Sequence, residues 1–191
     1  MSVASVAPVA VPPELRLLLA CTDVAPAPDR LARCLDGPLD WSLVQRLAAR
    51  EHADGVLWRH LAPHADRVPT AVGVALRQAA HRHAFRAMYL QQRLAESLQA
   101  LDAAGIPTVL LKGAALGVAA YPAFGERAMV DLDVLVPPER AREAWRTLIA
   151  TANWREDPEV EEVEFHHLPT LLDAHAGLTS CEVHTEVLAV G

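Results

Sequence analysis

The spacing of apolar positions changes at Gly105. Upstream they recur every three or four residues, as on a helix face; downstream they alternate or gather in short β-rich blocks. Residues 1–12 carry no charge and no period, which predicts a disordered leader. Pro13 suits a first helical turn, and Glu14 to Cys21 completes a short helix. Pro26 and Pro28 interrupt, and Asp29 is placed to cap a second short helix through Leu35. Asp40 is the N-cap candidate of a third, whose stripe is Trp41, Val44, Leu47 and Ala48. A fourth runs from Asp54 to Leu61 and stops at Pro63. Thr70 opens the longest helical stretch, reaching about Ala104. Leu76, Ala80, His83, Ala87, Leu90, Leu94, Leu98 and Leu101 lie on its apolar face, and Arg77, Arg82, Arg86, Gln92, Arg93 and Glu96 are expected on a solvated one. Gly105 ends it, as a residue able to take a left-handed conformation should.

Beyond that glycine, residues 106–111 predict a buried strand and residues 113–120 a small-residue helix. Val130 to Val136 predicts a strand with Asp131, Asp133 and Leu135 on one face. A helix from Pro138 to about Thr151 and strands over 160–174 and 180–188, joined across the turn Ala176–Thr179, complete the chain. The expected architecture is α+β: a helical region over 13–105, then a mixed-sheet core flanked by helices over 106–191.

Composition narrows the function. Of 191 residues, 52% are hydrophobic and 21% charged, enough apolar material for a packed core. The net charge of -7 and the lack of any basic run argue against extended nucleic-acid binding, but not against a small nucleotide carried with metal ions. No stretch approaches the roughly twenty apolar residues of a membrane span. The three cysteines form no CxxC pair, so a reduced, cytoplasmic protein is expected.

The chemistry gathers between Leu110 and Val136. Side chains two apart on a strand share a face, so Asp131 and Asp133 present their carboxylates side by side among apolar neighbours. Two like charges there repel and resist desolvation unless a cation joins them; Mg²⁺ (or Mn²⁺) answers that need with oxygen ligands. Lys112-Gly113 follows a strand and opens a helix, where backbone amides and a lysine charge favour phosphate. Arg127 offers a bidentate clamp for the same phosphates. A third carboxylate is needed to complete two-metal phosphoryl chemistry. Glu182 is the first choice, with Glu186 and Glu164 as rivals; His184 shares the alternating face and is read as an auxiliary that assists binding or positions Glu182. The nine histidines show no strong metal spacing of their own: His81 and His83 cannot share a helix face, and Pro63 separates His60 from His64.

These motifs together resemble the nucleotidyltransferase fold of the DNA polymerase β superfamily. The likeness is closest to bacterial nucleotidyltransferases in which a Lys-Gly pair stands where relatives have Gly-Ser. It runs over about residues 40–188 and rests on Leu111-Lys112-Gly113-Ala114-Ala115, Tyr121-Pro122, Arg127, Asp131-Leu132-Asp133-Val134-Leu135-Val136-Pro137, His166-His167-Leu168-Pro169 and Glu182-Val183-His184. The resemblance implies transfer of a nucleoside monophosphate from an NTP to a hydroxyl of an acceptor (a small molecule, a protein or an RNA end), with release of pyrophosphate. Asp131, Asp133 and Glu182 would hold the metals, and Lys112, Gly113 and Arg127 the triphosphate. Two departures stand out. Ala114 replaces the superfamily serine, and similar proteins continue into a further helical region, so either a partner subunit supplies it or the chain is a fragment or a degenerate domain. The alternative expectation is a catalytically reduced binding or regulatory subunit of the same fold, antitoxin-like or accessory to a biosynthetic cluster.

Overall fold

The computed structural model describes residues 10–22, 28–121, 124–126, 128–158 and 167–187. It packs as two units, residues 1–81 and 82–191.

In the first unit, α1 (Pro13–Cys21), α2 (Pro28–Leu35), α3 (Trp41–Arg50) and α4 (Asp54–Leu61) precede a short 3-10 segment, Ala62–Arg67, and the start of α5 (Thr70–Ala103). The apolar stripes meet in one core that includes Leu17, Leu31, Val44, Leu57, Leu61 and Leu76. Asp40 caps α3 as expected, accepting the Leu43 N–H at 3.1 Å. Its own N–H donates to the Glu14 carboxylate at 2.9 Å, tying α1 to the start of α3. Asp29 lies inside the first turn of α2 rather than before it, because that helix already starts at Pro28.

In the second unit, the end of α5 is closed by a Schellman arrangement. Gly105, at φ +65°, donates to Asp102 O at 2.8 Å, and Ile106 N–H donates to Leu101 O at 2.9 Å. Then follow β1 (Val109–Leu110), α6 (Lys112–Ala119), β2 (Asp131–Leu135), α7 (Ala141–Thr151), β3 (Trp154–Glu156), β4 (Leu171–Asp173) and β5 (Ser180–His184). The sheet order is β1-β2-β5-β4-β3. The β2–β5 pair is parallel, and the pairs β1–β2, β5–β4 and β4–β3 are antiparallel. Leu132 and Val134 of β2 and Cys181 and Val183 of β5 enter one core with Leu90, Leu94 and Leu101 of α5 and Ala144 and Leu148 of α7. Alternation sends Asp131, Asp133, Glu182 and His184 to the opposite face.

Several expectations need correction. The segment read as a buried strand, 106–111, forms only the edge strand β1, and Val109 is exposed; with a partner on one side alone, its outer face stays wet. Of the predicted strand over 160–174, the described residues form β4 and an isolated bridge from His167 to His184; residues 159–166 lie outside the described residues. The strand from Ser180 stops at His184. Pro138–Arg140 is a 3-10 turn leading into α7. β3 was not anticipated, because three residues are too few to show a period. Arg93, expected on a solvated face, is 1% exposed. Its guanidinium reaches Glu96, the carbonyls of Ala152 and Asn153, and Asp173, and lies 4.7 Å from the Trp154 ring centroid. Buried partners, rather than helix spacing, decide where this arginine goes.

Candidate active site

Parallel pairing sets β2 and β5 in register, with Asp131 opposite Ser180, Asp133 opposite Glu182 and Leu135 opposite His184. Asp133 and Glu182 therefore stand side by side on one face, with His184 one alternation further along β5. One oxygen, Asp133 Oδ1, receives two donors. Lys112 Nζ lies 2.6 Å away and His184 Nε2 2.8 Å away. Glu182 Oε2 is 3.6 Å from Lys112 Nζ and 3.3 Å from His184 Nε2. Asp133 and His184 are buried, Glu182 is half-buried, and Lys112 is 53% exposed along its side chain. Behind His184 the ring of His167 packs edge-on, with centroids 5.3 Å apart.

Lys112 reaches this cluster because of the turn between β1 and α6. Leu111 N–H donates to Asp133 O at 3.0 Å, extending the β1–β2 contact by one residue. Lys112 then takes φ +44° and Gly113 continues the helix. A non-glycine residue in the left-handed region costs about 1–3 kcal/mol and persists where its surroundings hold it. Leu111, at the N-cap, has no side-chain oxygen to meet the first amides of α6, so that end keeps its partial positive charge. Ala114 is fully buried within the core and brings no hydroxyl to the first turn of α6.

Electrostatics follow from crowding. Burial works to raise the Asp133 pKa, but hydrogen bonds from Lys112 and His184 and the charges on both hold it below the ordinary aspartate value. Asp131 goes the other way. Burial raises its pKa first, and the charges of Asp133 and Glu182 add to it, with Lys112 offsetting only part. Burial disfavours the charged Lys112 amine, yet the Asp133 hydrogen bond and the charges of Asp133, Glu182 and Asp131 raise its pKa above that of a free lysine. Three carboxylates thus share one ammonium, and the excess of negative charge is what a divalent ion relieves.

The ligand atoms of Asp133, Glu182 and His184 all lie within 4.8 Å of one another. Two carboxylates and an imidazole fit a divalent ion: the oxygens suit Mg²⁺ or Mn²⁺, and the nitrogen favours the transition metal of the two. Asp131 is not within that set, although it is close enough to feel both acids. Glu186, the rival on the same strand face by simple alternation, is exposed beyond the end of β5, where the chain bends. Glu164, Arg127 and His166 lie outside the described residues. Among the candidates the structure thus gathers Asp133, Glu182, His184 and Lys112, with Asp131 at the margin and Gly113 at the head of α6. The role of His184 as a direct partner of Asp133 was missed, because alternation shows a shared face but not which strand lies alongside. Cavities of about 400 Å³ (lined in part by Arg16, Arg30 and Arg33) and about 390 Å³ (in part by Arg142, Trp145 and Arg146) contain none of these acids. The site is marked by its chemistry and not by its volume.

A family model described as uncharacterised nucleotidyltransferase matches residues 37–189. The chain belongs to that nucleotidyltransferase family. Comparison with curated proteins finds no match, and comparison with solved structures finds none. The match spans Lys112, Asp131, Asp133, Glu182 and His184 and runs from α3 through β5. Membership carries the general activity, nucleotidyl transfer. Among the described residues, no helix of this nucleotidyltransferase is long and apolar enough to cross a membrane.

Proposed function

We propose that this protein is a metal-dependent nucleotidyltransferase of the Lys-Gly branch, moving a nucleoside monophosphate from an NTP to an acceptor hydroxyl and releasing pyrophosphate. The observation that carries the reading is the in-register pairing of Asp133 with Glu182 across two parallel strands, with Asp131 two residues earlier on the same face. Asp131, Asp133 and Glu182 would hold Mg²⁺ or Mn²⁺, with His184 as a further ligand or as the group that orients Asp133. When bound, such ions neutralise charge on the phosphates and favour ionisation of the attacking hydroxyl. Glu182, less buried than Asp133, faces the side from which an acceptor enters and positions its hydroxyl. Lys112 and Arg127 would offset the charge of a triphosphate near the start of α6, where Gly113, itself buried, keeps the first turn free of a side chain. The acceptor is a small molecule, a protein or an RNA end. The three free thiols suit a cytoplasmic location.

The test is pyrophosphate release from each of the four NTPs with Mg²⁺ or Mn²⁺ and candidate acceptors. Release by the native chain and its loss in Asp133→Asn support the reading. No release with any NTP, even with a partner subunit added, turns the assignment to a second reading, a binding or regulatory subunit that keeps the fold without turnover. Two observations favour that second reading: Ala114 offers no hydroxyl, and Lys112 already occupies the acid cluster.

A further inference from the structure

We propose that Lys112 is a tethered counter-cation: its ammonium stands in for a divalent ion between Asp133 and Glu182, and leaves only when a triphosphate draws it away. The inference rests on the reading above for the identity of the site, and goes beyond it in making metal and nucleotide entry depend on one another. Lys112 Nζ lies 2.6 Å from Asp133 Oδ1 and 3.6 Å from Glu182 Oε2, between two of the three groups whose ligand atoms cluster within 4.8 Å. A cation bound by both carboxylates and an ammonium at those distances would compete for the same oxygens. His184 already occupies Asp133 Oδ1 from the other side, so the lysine's place is the one that must be vacated.

Lys112 is suited to leave. Its side chain is 53% exposed while that of Asp133 is 2% exposed, so the ammonium sits at the mouth of the site and the carboxylate at its floor. A lysine is a point charge on a flexible stem and holds no fixed bidentate geometry. Its backbone, at φ +44°, stands at the joint between β1 and the first turn of α6. The stem thus starts beside the helix amides where a phosphate would bind, and the ammonium can pass from carboxylate to phosphate without moving the backbone. In this state three acids are partly neutralised, which lets the pair Asp133 and Glu182 pack beside each other with no metal bound.

The experiment is a Mn²⁺ titration of the full chain without nucleotide, read by electron paramagnetic resonance or calorimetry, for the native protein, Lys112→Met and Lys112→Gly. Lys112→Gly removes the amine and also relieves the positive φ, so a folding defect in one variant does not decide the result. Both variants are expected to bind Mn²⁺ about tenfold more tightly than the native chain, the worth of one charged hydrogen bond at its lower bound. Both are expected to bind ATP more weakly at saturating Mn²⁺. This opposite pair of signs is the signature, because a purely structural lysine would weaken both. Equal or weaker Mn²⁺ binding in the variants, or no Mn²⁺ binding in any of the three proteins, overturns the proposal. Tighter Mn²⁺ binding in the variants without pyrophosphate release by the native chain keeps the counter-cation and rejects nucleotidyl transfer. Pyrophosphate release without tighter Mn²⁺ binding does the reverse.

Discussion

Asp173→Asn probes what holds β4 beside the strand that carries Glu182. The Asp173 side chain is fully buried. It accepts from Tyr89 O–H at 2.6 Å and from the N–H groups of His175 and Ala176 at 3.3 and 3.0 Å. Arg93 Nε lies 3.3 Å from Asp173 Oδ1, in ion-pair range but out of line for a hydrogen bond. Asparagine preserves the shape and can still accept, but it removes the charge that faces a guanidinium 1% exposed. Breaking a buried ion pair from one side costs about 3–5 kcal/mol. Arg93 would keep Glu96 and two carbonyls, so the lower end, about 3 kcal/mol, is expected. Against a typical stability of about 5–15 kcal/mol that is a large share. It corresponds to a Tm lower by about 6–12 °C in a chain of this size. The pH dependence has a definite sign. Burial pushes the Asp173 carboxyl up, but the Tyr89 hydroxyl, the two backbone N–H groups and Arg93 outweigh it and hold its pKa below the ordinary value. A depressed folded-state pKa contributes stability that is complete above the unfolded value of about 3.9 and is lost as pH falls through the folded one. Thermal or urea unfolding followed by circular dichroism should therefore show a gap between native and variant at pH 7 that narrows below about pH 4. No gap at pH 7, or one of unchanged size in acid, would refute the assignment of this network as an ionised pair.

Two further substitutions test the site and its support. Glu182→Gln should lower pyrophosphate release on the order of 100-fold while changing metal-nucleotide affinity much less, because its carboxylate acts on the attacking side in the transition state; Glu186→Gln, at an exposed position, should leave the rate near native, and the opposite ranking would move the third carboxylate. Gly117→Ala would place a Cβ 3.0 Å from Phe124 Cδ2 and 3.4 Å from Met129 Cε, on the buried side of α6. Crowding of about 1–3 kcal/mol outweighs the roughly 1 kcal/mol gained by alanine in a helix, so the Tm should fall slightly; an unchanged or higher Tm would mean that Phe124 yields.

What could be read from the sequence follows the range of each signal. Asp40 and Gly105 announce helix ends because capping is chemistry between near neighbours, and both behave as expected. The alternation of Asp131, Leu132, Asp133 and Val134 shows a strand with two faces, since its period belongs to the strand itself. Neighbour relations between strands do not belong to any one segment. Nothing within Ser180–His184 says that it will lie parallel to β2 in the register that sets Glu182 against Asp133. Nothing within Val109–Leu110 says that it will be an edge. The pairing of ions is the hardest case. Arg93 and Lys112 both read as solvated or phosphate-facing charges, because charge predicts exposure unless a partner of opposite sign is supplied from elsewhere in the chain. For Arg93 that partner is 80 positions away, and for Lys112 it is 21 away in the next strand.

The same reasoning explains how the chain's own residues offset the charge of the acid cluster. Two adjacent parallel strands place carboxylates about as close as sheet geometry permits, and repulsion alone would favour protonation of one of them. Asp133 instead has a lowered pKa, because Lys112 and His184 converge on a single oxygen of it. The unsatisfied excess is displaced onto Asp131, whose pKa is raised and which lies outside the ligand cluster. Asp131 is thus the carboxylate with most to gain from a second positive charge. A divalent ion held by Asp133 and Glu182, once a triphosphate has drawn Lys112 away, would supply that charge.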